Sequence, residues 1–401
     1  MTELKIKHIM DKCRFAWYLL QYAAACLVAP LFRRRKEYDR LWLIAERGVD
    51  AGDNGYHLFR YIRTRHPEIN IRYVISDDSP DRAKVSALGE TVSYRSFRHM
   101  LAFVLSGVKI STHVMGYSHD AYFFKMLDGK LRIKGKKIFL QHGIIKDDIP
   151  YLYADSTRLD LFVCGAKREY EYIRSTYGYP EGIVRFLGLC RYDALPAGRE
   201  RKQSRTVLVM PTWRTYLERV SGQTFCGTAF YRAYQSLLSS PRLREILEQY
   251  GYRLEFFPHH EMLPYLDCFR TDARQVRLSG KGEEVQQALI GADILITDYS
   301  SVYFDFGYMG KPVIYYQFDR EAYRAGHYQE GYFSYERDGF GPVVETEEEL
   351  LSELEKALAR GCILEPVYEE RAERFFERRD RKNCERNFDA IMQAAGEEKD
   401  G

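Results

Sequence analysis

The sequence lacks the short motifs that mark several large protein classes. None of its eight cysteines forms a Cys-x-x-Cys pair, and no short Cys/His cluster suggests a zinc site. No Walker A motif is present, and no Gly-x-Gly-x-x-Gly follows the early strands, which argues against P-loop NTPases and NAD enzymes. We therefore expect reduced, mostly packed cysteines in a cytosolic compartment, and no metal or other cofactor held by protein ligands alone.

A strong net charge is also missing. The formal charge of the 401 residues is +3, so nothing in the overall composition points to nucleic acid as a partner. The length allows two domains, and 45% hydrophobic with 29% charged residues is an ordinary globular balance. Positive charge nevertheless collects in residues 1–40, which hold nine Lys or Arg and four Asp or Glu. Attraction to an anionic surface would therefore come from this N-terminal part.

The N-terminal part also contains the one long apolar run, residues 15–32, with basic residues at 12, 14 and 33–36. Its length only just reaches that of a spanning helix, and Gln21 and Pro30 weaken that interpretation. We predict that residues 1–36 form a membrane-associating segment, which binds an anionic membrane surface peripherally at the cytoplasmic face. A helix packed on the protein's own core and a true spanning helix are the alternatives.

Strands and helices alternate along the rest of the chain, which predicts an α/β fold with parallel sheets and covering helices. Predicted strands cover 40–45, 71–76, 108–111, 137–141, 159–164, 184–187, 206–210, 253–257, 293–297 and 312–316. Predicted helices cover 56–65, 167–177, 243–250, 283–290 and 347–359. The polar stretch 196–205 predicts a linker between Rossmann-like domains at 37–196 and 206–365 with a cleft between them, and 366–401 predicts a C-terminal helix and tail.

Residues 293–316 carry the most specific pattern. An apolar run ends in Thr297, Asp298, Tyr299, Ser300 and Ser301, and a helical pattern and a second apolar run follow. This predicts a hydroxyl-rich turn between the carboxyl end of a strand and a helix N-terminus, where free N–H groups favour an anion such as a diphosphate. The alternative is that the two serines merely cap the helix.

Several stretches together resemble the CDP-glycerol glycerophosphotransferase family, whose members build teichoic acids in Gram-positive envelopes. The residues that carry the resemblance are Trp42 to Gly48 with Asp53 to Tyr56, Gln141 to Gly143, Leu187–Gly188 with Arg191 to Asp193, Met210 to Arg214, Pro258–His259, and Thr297 to Ser301 with Phe304, Asp305, Lys311 and Pro312. The resemblance implies a GT-B fold of two Rossmann-like domains, a donor site mainly in the C-terminal domain, and peripheral membrane attachment.

The resemblance also implies the chemistry, in which an acceptor hydroxyl attacks the β-phosphate of CDP-glycerol and CMP leaves. His142 is similar to the family's catalytic base, and His259 to its second functional histidine, although His260 stands beside it. The other implied site residues are Thr297, Ser300 and Ser301 on the donor diphosphate, Arg214 and Lys311 as cations that offset its charge, and Asp53, Asn54 and Lys146 on the acceptor side. For Asp53 and Asn54, helix capping is the alternative.

Donor and acceptor stay open at this level. Many family members follow the catalytic His-Gly with Thr-Pro-Leu-Lys, whereas Ile144, Ile145 and Lys146 follow here, so the acceptor cannot be carried over. The expected partners are CDP-glycerol or CDP-ribitol, a lipid-linked acceptor and the membrane surface, without nucleic acid. A GT-B glycosyltransferase that uses a nucleotide sugar, and a non-enzymatic scaffold of an envelope-assembly complex, are the competing interpretations.

Overall fold

The computed structural model describes residues 3–196, 204–271, 273–280, 284–325 and 329–396, with side chains from residue 12 onward. Most of the predicted linker at 196–205 lies outside the described residues. The chain divides into two compact units. The first contains Met1–His142, Pro150–Ala194 and Asp380–Gly401, and the second contains Gly143–Ile149 and Leu195–Arg379.

The first unit is built on a seven-stranded sheet in which every pair of neighbours is parallel. Its strands are β1 Trp42–Ala45, β2 Ile71–Ile75, β3 Thr91–Ser93, β4 Val108–Ser111, β5 Lys136–Phe139, β6 Leu161–Cys164 and β7 Val184–Phe186. They are ordered β3-β2-β1-β4-β5-β6-β7. The short apolar runs are buried on both faces because helices cover a parallel sheet on both sides. The alternation in the sequence therefore predicted this sheet correctly, apart from β3.

Helices α1 to α6 belong to this unit. They span Glu3–Phe32, Asn54–Arg65, Arg82–Ser86, Phe97–Leu105, Ala121–Leu131 and Lys167–Thr176. Helix α1 packs one face against the unit, where Tyr18, Ala25 and Ala29 are buried in a cluster that includes α4 residues. Its opposite face leaves large apolar side chains in solvent, with Leu27 81% and Leu31 75% exposed. Helix α1 is thus partly a core helix and partly an uncovered apolar surface.

The second unit holds a six-stranded parallel sheet. Its strands are β8 Thr206–Met210, β9 Arg253–Phe256, β10 Val276–Leu278, β11 Ile294–Thr297, β12 Val313–Tyr316 and β13 Val343–Val344. The order β10-β9-β8-β11-β12-β13 is that of a doubly wound nucleotide-binding sheet. Carboxyl ends of parallel strands share one edge, so the segments after β9, β8 and β11 lie side by side.

Helices α7 to α15 surround this second sheet. They span Gly222–Cys226, Ala229–Ser239, Pro241–Tyr250, Val285–Gly291, Val302–Tyr308, Arg320–Ala325, Tyr335–Asp338, Glu347–Ala359 and Pro366–Phe376. The predicted capping box at the start of α14 is present, because Thr346 Oγ1 accepts from the Glu349 N–H and the Glu349 carboxylate accepts from the Thr346 N–H.

The last helix, α16 Asn383–Ala395, belongs to the first unit rather than to its neighbour α15. The Asp193 carboxylate accepts from the Asn383 N–H at 2.9 Å and from the Cys384 N–H at 2.8 Å, which anchors the start of α16. The stretch 366–401, predicted as one C-terminal piece, is therefore shared between the two units.

A short excursion of the chain begins directly after His142. Residues Gly143–Ile149 pack in the second unit, and Pro150 returns to the first. Asp147 pairs with Glu330 in an isolated antiparallel bridge, and the Asp148 N–H donates to the Gln329 carbonyl at 2.9 Å. We call Gly143–Ile149 the strap. It ties the residue after His142 to the fold of the second unit.

Candidate active site

The loop that carries His142 has a strained backbone held by buried hydrogen bonds. Gln141, two residues beyond the end of β5, has a φ of 61°, which is uncommon for a residue with a side chain. Its carbonyl accepts from Asn54 Nδ2 at 2.8 Å, and its own side-chain amide donates to the Val163 carbonyl. Such a conformation persists where its surroundings over-determine it, and this happens most often at functional sites.

Asp53, Asn54 and Arg191 form a clamp on the same loop. Arg191 Nη1 donates to the His142 carbonyl at 2.8 Å and to Asp53 Oδ1 at 2.7 Å. Asn54 is fully buried, and its Oδ1 accepts from the Arg191 N–H at 2.9 Å. Asp53 is also the N-cap of α2, so the capping alternative is observed for it. Asp53 and Asn54, two of the three residues predicted on the acceptor side, thus support the backbone at His142, and a direct contact with the acceptor stays a prediction.

The imidazole of His142 stacks on a second histidine, His113. The two ring centroids are 4.5 Å apart and the rings are inclined by 9°. His142 is solvent-exposed, but dense packing around the ring lowers its pKa, while Asp53 acts in the opposite direction. Burial, and next the neighbouring His142, lower the pKa of His113 to about 3. Both rings are therefore neutral near pH 7, which is the form of His142 that accepts a proton.

The hydrogen bond of His142 to the Thr112 backbone also bears on its role. A ring nitrogen that donates to a carbonyl fixes the tautomer and leaves the other nitrogen as the acceptor. His142 thus combines a held backbone, a stacked ring and one nitrogen with a lone pair, which are the requirements of a general base.

The helix N-terminus at the first strand–helix turn of this unit is already occupied by Glu46. Its carboxylate accepts from the N–H groups of Gly52 at 3.0 Å, Asp53 at 2.8 Å and Tyr56 at 2.9 Å. A nucleotide phosphate takes the equivalent position in dinucleotide-binding Rossmann folds. Because the Glu46 side chain already takes these N–H groups, they are not free for an anionic ligand, which agrees with a donor site in the second unit.

In the second unit, Asp298 organises the turn that the sequence predicts as the diphosphate site. Its fully buried carboxylate accepts from the Thr212 N–H at 2.9 Å and from the Tyr299 N–H at 2.6 Å. Thr212 follows β8 and Tyr299 follows β11, so one carboxylate joins two neighbouring strand ends. The shape of the turn is therefore set by Asp298. The sequence pattern contained this residue but gave it no role of its own.

Arg214 is placed differently from its predicted role on the diphosphate. Its side chain is fully buried, 2.9 Å from Asp298 Oδ2, and its Nε and Nη2 donate to the Asp319 carboxylate at 2.8 and 2.9 Å. The guanidinium also lies over the Tyr299 and Tyr323 rings. Its charge neutralises two internal carboxylates, which is a structural role, and a contact with the diphosphate stays a prediction.

Lys311 and Thr297, also predicted to bind the diphosphate, are likewise committed inside the unit. Lys311 is 2% exposed, and its ammonium donates to three carbonyls at the C-terminus of α10, where a cation also complements the helix dipole. These are the carbonyls of Leu289 at 3.0 Å, Ile290 at 2.8 Å and Ala292 at 2.7 Å. Thr297 is buried, and its Oγ1 donates to the Met210 carbonyl at 2.7 Å.

Ser300 and Ser301 keep their hydroxyl groups near solvent. Ser301 stands at the N-cap of α11 but its side chain makes no capping bond, and the Ser300 hydroxyl reaches the Val302 N–H only at 3.5 Å. The Ser301 side chain therefore does not cap α11. A Cβ added to Gly143 would lie 3.3 Å from Ser301 Oγ. The residue that follows His142 therefore packs directly against the predicted diphosphate turn.

The remaining predicted residues lie in the second unit too. His259 follows β9 at the same sheet edge, and its Nδ1 accepts from the Glu261 N–H at 3.3 Å. Its ring is 4.1 Å from that of His260, which is exposed and 3.3 Å from Glu261 Oε1. Lys146, predicted on the acceptor side, belongs to the strap, where its ammonium is 2.6 Å from Asp147 Oδ2.

Sequence reasoning did not assign Arg191, His113 or Asp298 to the site. Arg191 and Asp298 stand within the motifs that carry the family resemblance, so the sequence indicated that they matter but not what each of them does. His113 follows the end of β4 by two residues, at the same edge as His142. As for metals, the described residues contain no group of three or more His, Cys, Asp or Glu that could hold an ion.

Comparison with known protein families shows to which family a chain with these features belongs. Residues 27–393 match the family described as CDP-glycerol:poly(glycerophosphate) glycerophosphotransferase. This chain belongs to that family. A relative is the minor teichoic acid biosynthesis protein GgaB of Bacillus subtilis, which is 30% identical over 377 residues. The match covers 91% of this chain but 41% of GgaB, so the chain spans less than half of that relative.

Other matches bear on the donor and on the fold. The teichoic acid poly(ribitol-phosphate) polymerase of Bacillus spizizenii is 26% identical over 184 residues, covering 45% of this chain and 26% of the polymerase. The structure of the wall teichoic acid polymerase TagF superimposes with a TM-score of 0.64 over 98% of both chains, at 17% identity. At that identity the likeness concerns the fold, and it confirms the GT-B-like class.

Proposed function

We propose that this protein transfers glycerol phosphate from CDP-glycerol to a hydroxyl of a lipid-linked or polyol-phosphate acceptor and releases CMP, in the synthesis of teichoic acid or a related envelope polymer. Family membership and the teichoic acid relatives support the reaction class. The observation that carries the proposal is the match of residues 27–393 to this family. Within the second unit, Gly143 lies against Ser301 of the candidate diphosphate turn.

The reaction class assigns a role to each candidate residue. His142 takes the proton of the acceptor hydroxyl as the oxygen attacks the β-phosphorus. The bond from the β-phosphorus to the bridging oxygen breaks, and CMP leaves with that oxygen. The hydroxyls of Ser300 and Ser301, with the N–H groups of their turn, stabilise charge on the diphosphate, and His259 contacts the leaving phosphate. The clamp of Asp53, Asn54 and Arg191 holds His142 in place.

The experiment is CMP release by the purified protein with CDP-glycerol and CDP-ribitol in parallel, against a lipid-linked glycerol phosphate acceptor. Release with CDP-glycerol that disappears in His142→Ala supports the proposal. Release with CDP-ribitol alone would favour transfer of ribitol phosphate, and the match to the poly(ribitol-phosphate) polymerase supports this alternative. A nucleoside diphosphate formed from a nucleotide sugar, without CMP release from either donor, would contradict both and indicate a glycosyltransferase.

We also propose that α1 attaches the protein peripherally to the cytoplasmic face of the membrane. Residues 12–32 are long and apolar enough to cross a bilayer by length and composition, but one face is buried against the first unit. The other face exposes Trp17, Leu20, Leu27 and Leu31. Exposed basic residues at 33–36 follow the apolar face, which suits a helix lying in the interface with its cations on anionic headgroups.

Flotation with vesicles of phosphatidylglycerol and phosphatidylcholine tests this attachment. The pair Leu20→Glu and Leu27→Glu should abolish co-flotation, because a charged side chain cannot enter the acyl region. Ile363→Glu, at an equally exposed apolar residue of the second unit, is the matched control and should float like the wild type. If the α1 variant still floats, attachment uses another surface.

A further inference from the structure

Glu46 directly follows β1, at the point where the chain turns towards α2, and it is 4% exposed. Its two carboxyl oxygens take different N–H groups at the start of that helix. Oε1 accepts from the Asp53 N–H at 2.8 Å and from the Tyr56 N–H at 2.9 Å, and Oε2 accepts from the Gly52 N–H at 3.0 Å. One side chain therefore sets the path of the backbone from Gly52 into the first turn of α2.

Glu46 is also enclosed by two glycines. A Cβ added to Gly55 of α2 would lie 2.9 Å from Glu46 Cγ, and one added to Gly116, after β4, would lie 2.2 Å from the Glu46 carbonyl oxygen. Both distances are shorter than a carbon atom allows, so each position accepts glycine alone without a shift of its surroundings. The side chain and the backbone of Glu46 are thus held in one position.

The N–H groups that Glu46 holds belong to the segment that supports His142. Asp53 Oδ1 accepts from Arg191 Nη1 at 2.7 Å, and the same nitrogen donates to the His142 carbonyl at 2.8 Å. Asn54 Nδ2 donates to the carbonyl of the residue before His142 at 2.8 Å. All of these residues lie in the first unit. An unbroken series of hydrogen bonds therefore runs from the Glu46 carboxyl group to the backbone at His142.

Near pH 7, Glu46 supplies hydrogen-bond acceptors more than charge. Burial, and next the charge of Asp53, raise the pKa of Glu46 to about 8, so the carboxyl group is mostly uncharged at neutral pH. Glu46→Gln therefore changes the acceptors and leaves the charge at that pH nearly as it is. Glutamine keeps one side-chain oxygen, but its amide nitrogen cannot accept from an N–H group, so at least one of the three bonds is lost.

We propose that Glu46 is a positioning residue for His142 and acts through the clamp of Asp53, Asn54 and Arg191. The inference rests on the proposed function, in which His142 is the base. Without the Glu46 oxygens the start of α2 loses its internal acceptors, and the clamp no longer holds the His142 carbonyl in one place. A misplacement of about 1 Å can cost roughly 100-fold in rate, because the base must meet the acceptor hydroxyl in a defined geometry.

Steady-state CMP release by the full chain with CDP-glycerol tests the proposal. Glu46→Met, which fills similar space without an oxygen, should lower kcat about 10-fold, and Glu46→Gln about 3-fold, both with little change in the donor KM. The control is Asp120→Ala, because Asp120 is the N-cap of α5 in the same unit, where it accepts from the Phe123 N–H at 2.9 Å. Asp120→Ala should lower the thermal midpoint and leave kcat unchanged.

A double-mutant cycle separates positioning from a general loss of stability. If Glu46 acts through the clamp, Glu46→Met combined with Arg191→Gln should be no slower than Arg191→Gln alone. Should circular dichroism show that Glu46→Met does not fold, Glu46→Gln takes its place in the cycle. The proposal is overturned if the folded Glu46 variants keep the wild-type kcat, or if the two losses multiply in the double variant.

The pKa of His142 gives a readout that needs no turnover. It is obtained from the pH dependence of His142 modification by diethyl pyrocarbonate, followed by mass spectrometry. Packing lowers this pKa in the wild type, and it should move towards its ordinary value in Glu46→Met but not in Asp120→Ala. If the wild type releases no CMP from either donor, the proposed function fails, and an unmoved His142 pKa would then overturn the role of Glu46 as well.

Discussion

Arg214 offers the sharpest test of how the donor unit is built. In Arg214→Met the side chain keeps much of its length and loses its charge, so the carboxylates of Asp298 and Asp319, 0% and 5% exposed, lose their buried cation. Breaking a buried ion pair from one side costs about 3–5 kcal/mol. At about 2–4 °C for each kcal/mol in a domain of this size, the thermal midpoint should fall by roughly 6–20 °C.

Thermal unfolding followed by circular dichroism, with and without CDP-glycerol, is the assay. Arg219→Met is the matched control, because Arg219 is 80% exposed and its loss should leave the midpoint unchanged. The structural role is refuted if Arg214→Met unfolds at the wild-type midpoint and binds CDP-glycerol much more weakly. That result would restore the direct diphosphate contact that the sequence pattern predicts.

Four further outcomes follow from the same contacts. Arg191→Gln removes the guanidinium that donates to the His142 carbonyl, and we expect kcat for CMP release to fall about 10- to 100-fold with little change in KM for the donor. An unchanged kcat would show that the clamp does not contribute to catalysis. Because packing lowers the pKa of His142, activity should be lost only as the pH falls below about 6.5, and His142→Ala should abolish it while shifting the thermal midpoint little. Burial lowers the pKa of His119 to about 4, so His119 should contribute a fall of up to about 3 kcal/mol in the free energy of unfolding between pH 6.5 and 4, measured by urea titration, and His119→Gln should remove this part of the total fall. Lys311→Met should lower the thermal midpoint, because it leaves three carbonyls without their donor, yet keep the affinity for CDP-glycerol; weaker donor binding at an unchanged midpoint would indicate a ligand contact.

Much of the local structure is readable from the chain because short-range patterns decide it. Apolar runs between turn residues become strands of the two sheets, and Thr346 with Glu349 forms the predicted capping box. The stretch 293–316 folds as strand, turn, helix and strand, as its periodicity predicts. Strands β3, β10 and β13 were missed; each has only two or three residues, too few for a period to show.

The amphipathic character of α1 shows the limit of a one-dimensional pattern. Composition indicated an apolar helix next to basic residues. Three interpretations were open: a helix attached to the membrane surface, a helix packed on the core, and a helix that spans the membrane. The structure buries Tyr18, Ala25 and Ala29, so one face of α1 is a core face, and it leaves Leu27 and Leu31 exposed on the opposite face. Membrane attachment through that exposed face stays a proposal. Which face is covered depends on α4, nearly seventy residues later in the chain, and no local periodicity contains that information.

The sequence by itself determined the α/β class, the family and the position of the hydroxyl-rich turn at a strand end, because periodicity and motifs are local properties. Only the tertiary structure decided which polar residues are available to a ligand. Arg214 is committed to Asp319, 105 residues away, and Lys311 to the end of α10, whereas Ser301 stays exposed beside Gly143. A charge in the sequence is a candidate ligand contact until folding supplies its partner, and that partner comes from a distant part of the chain.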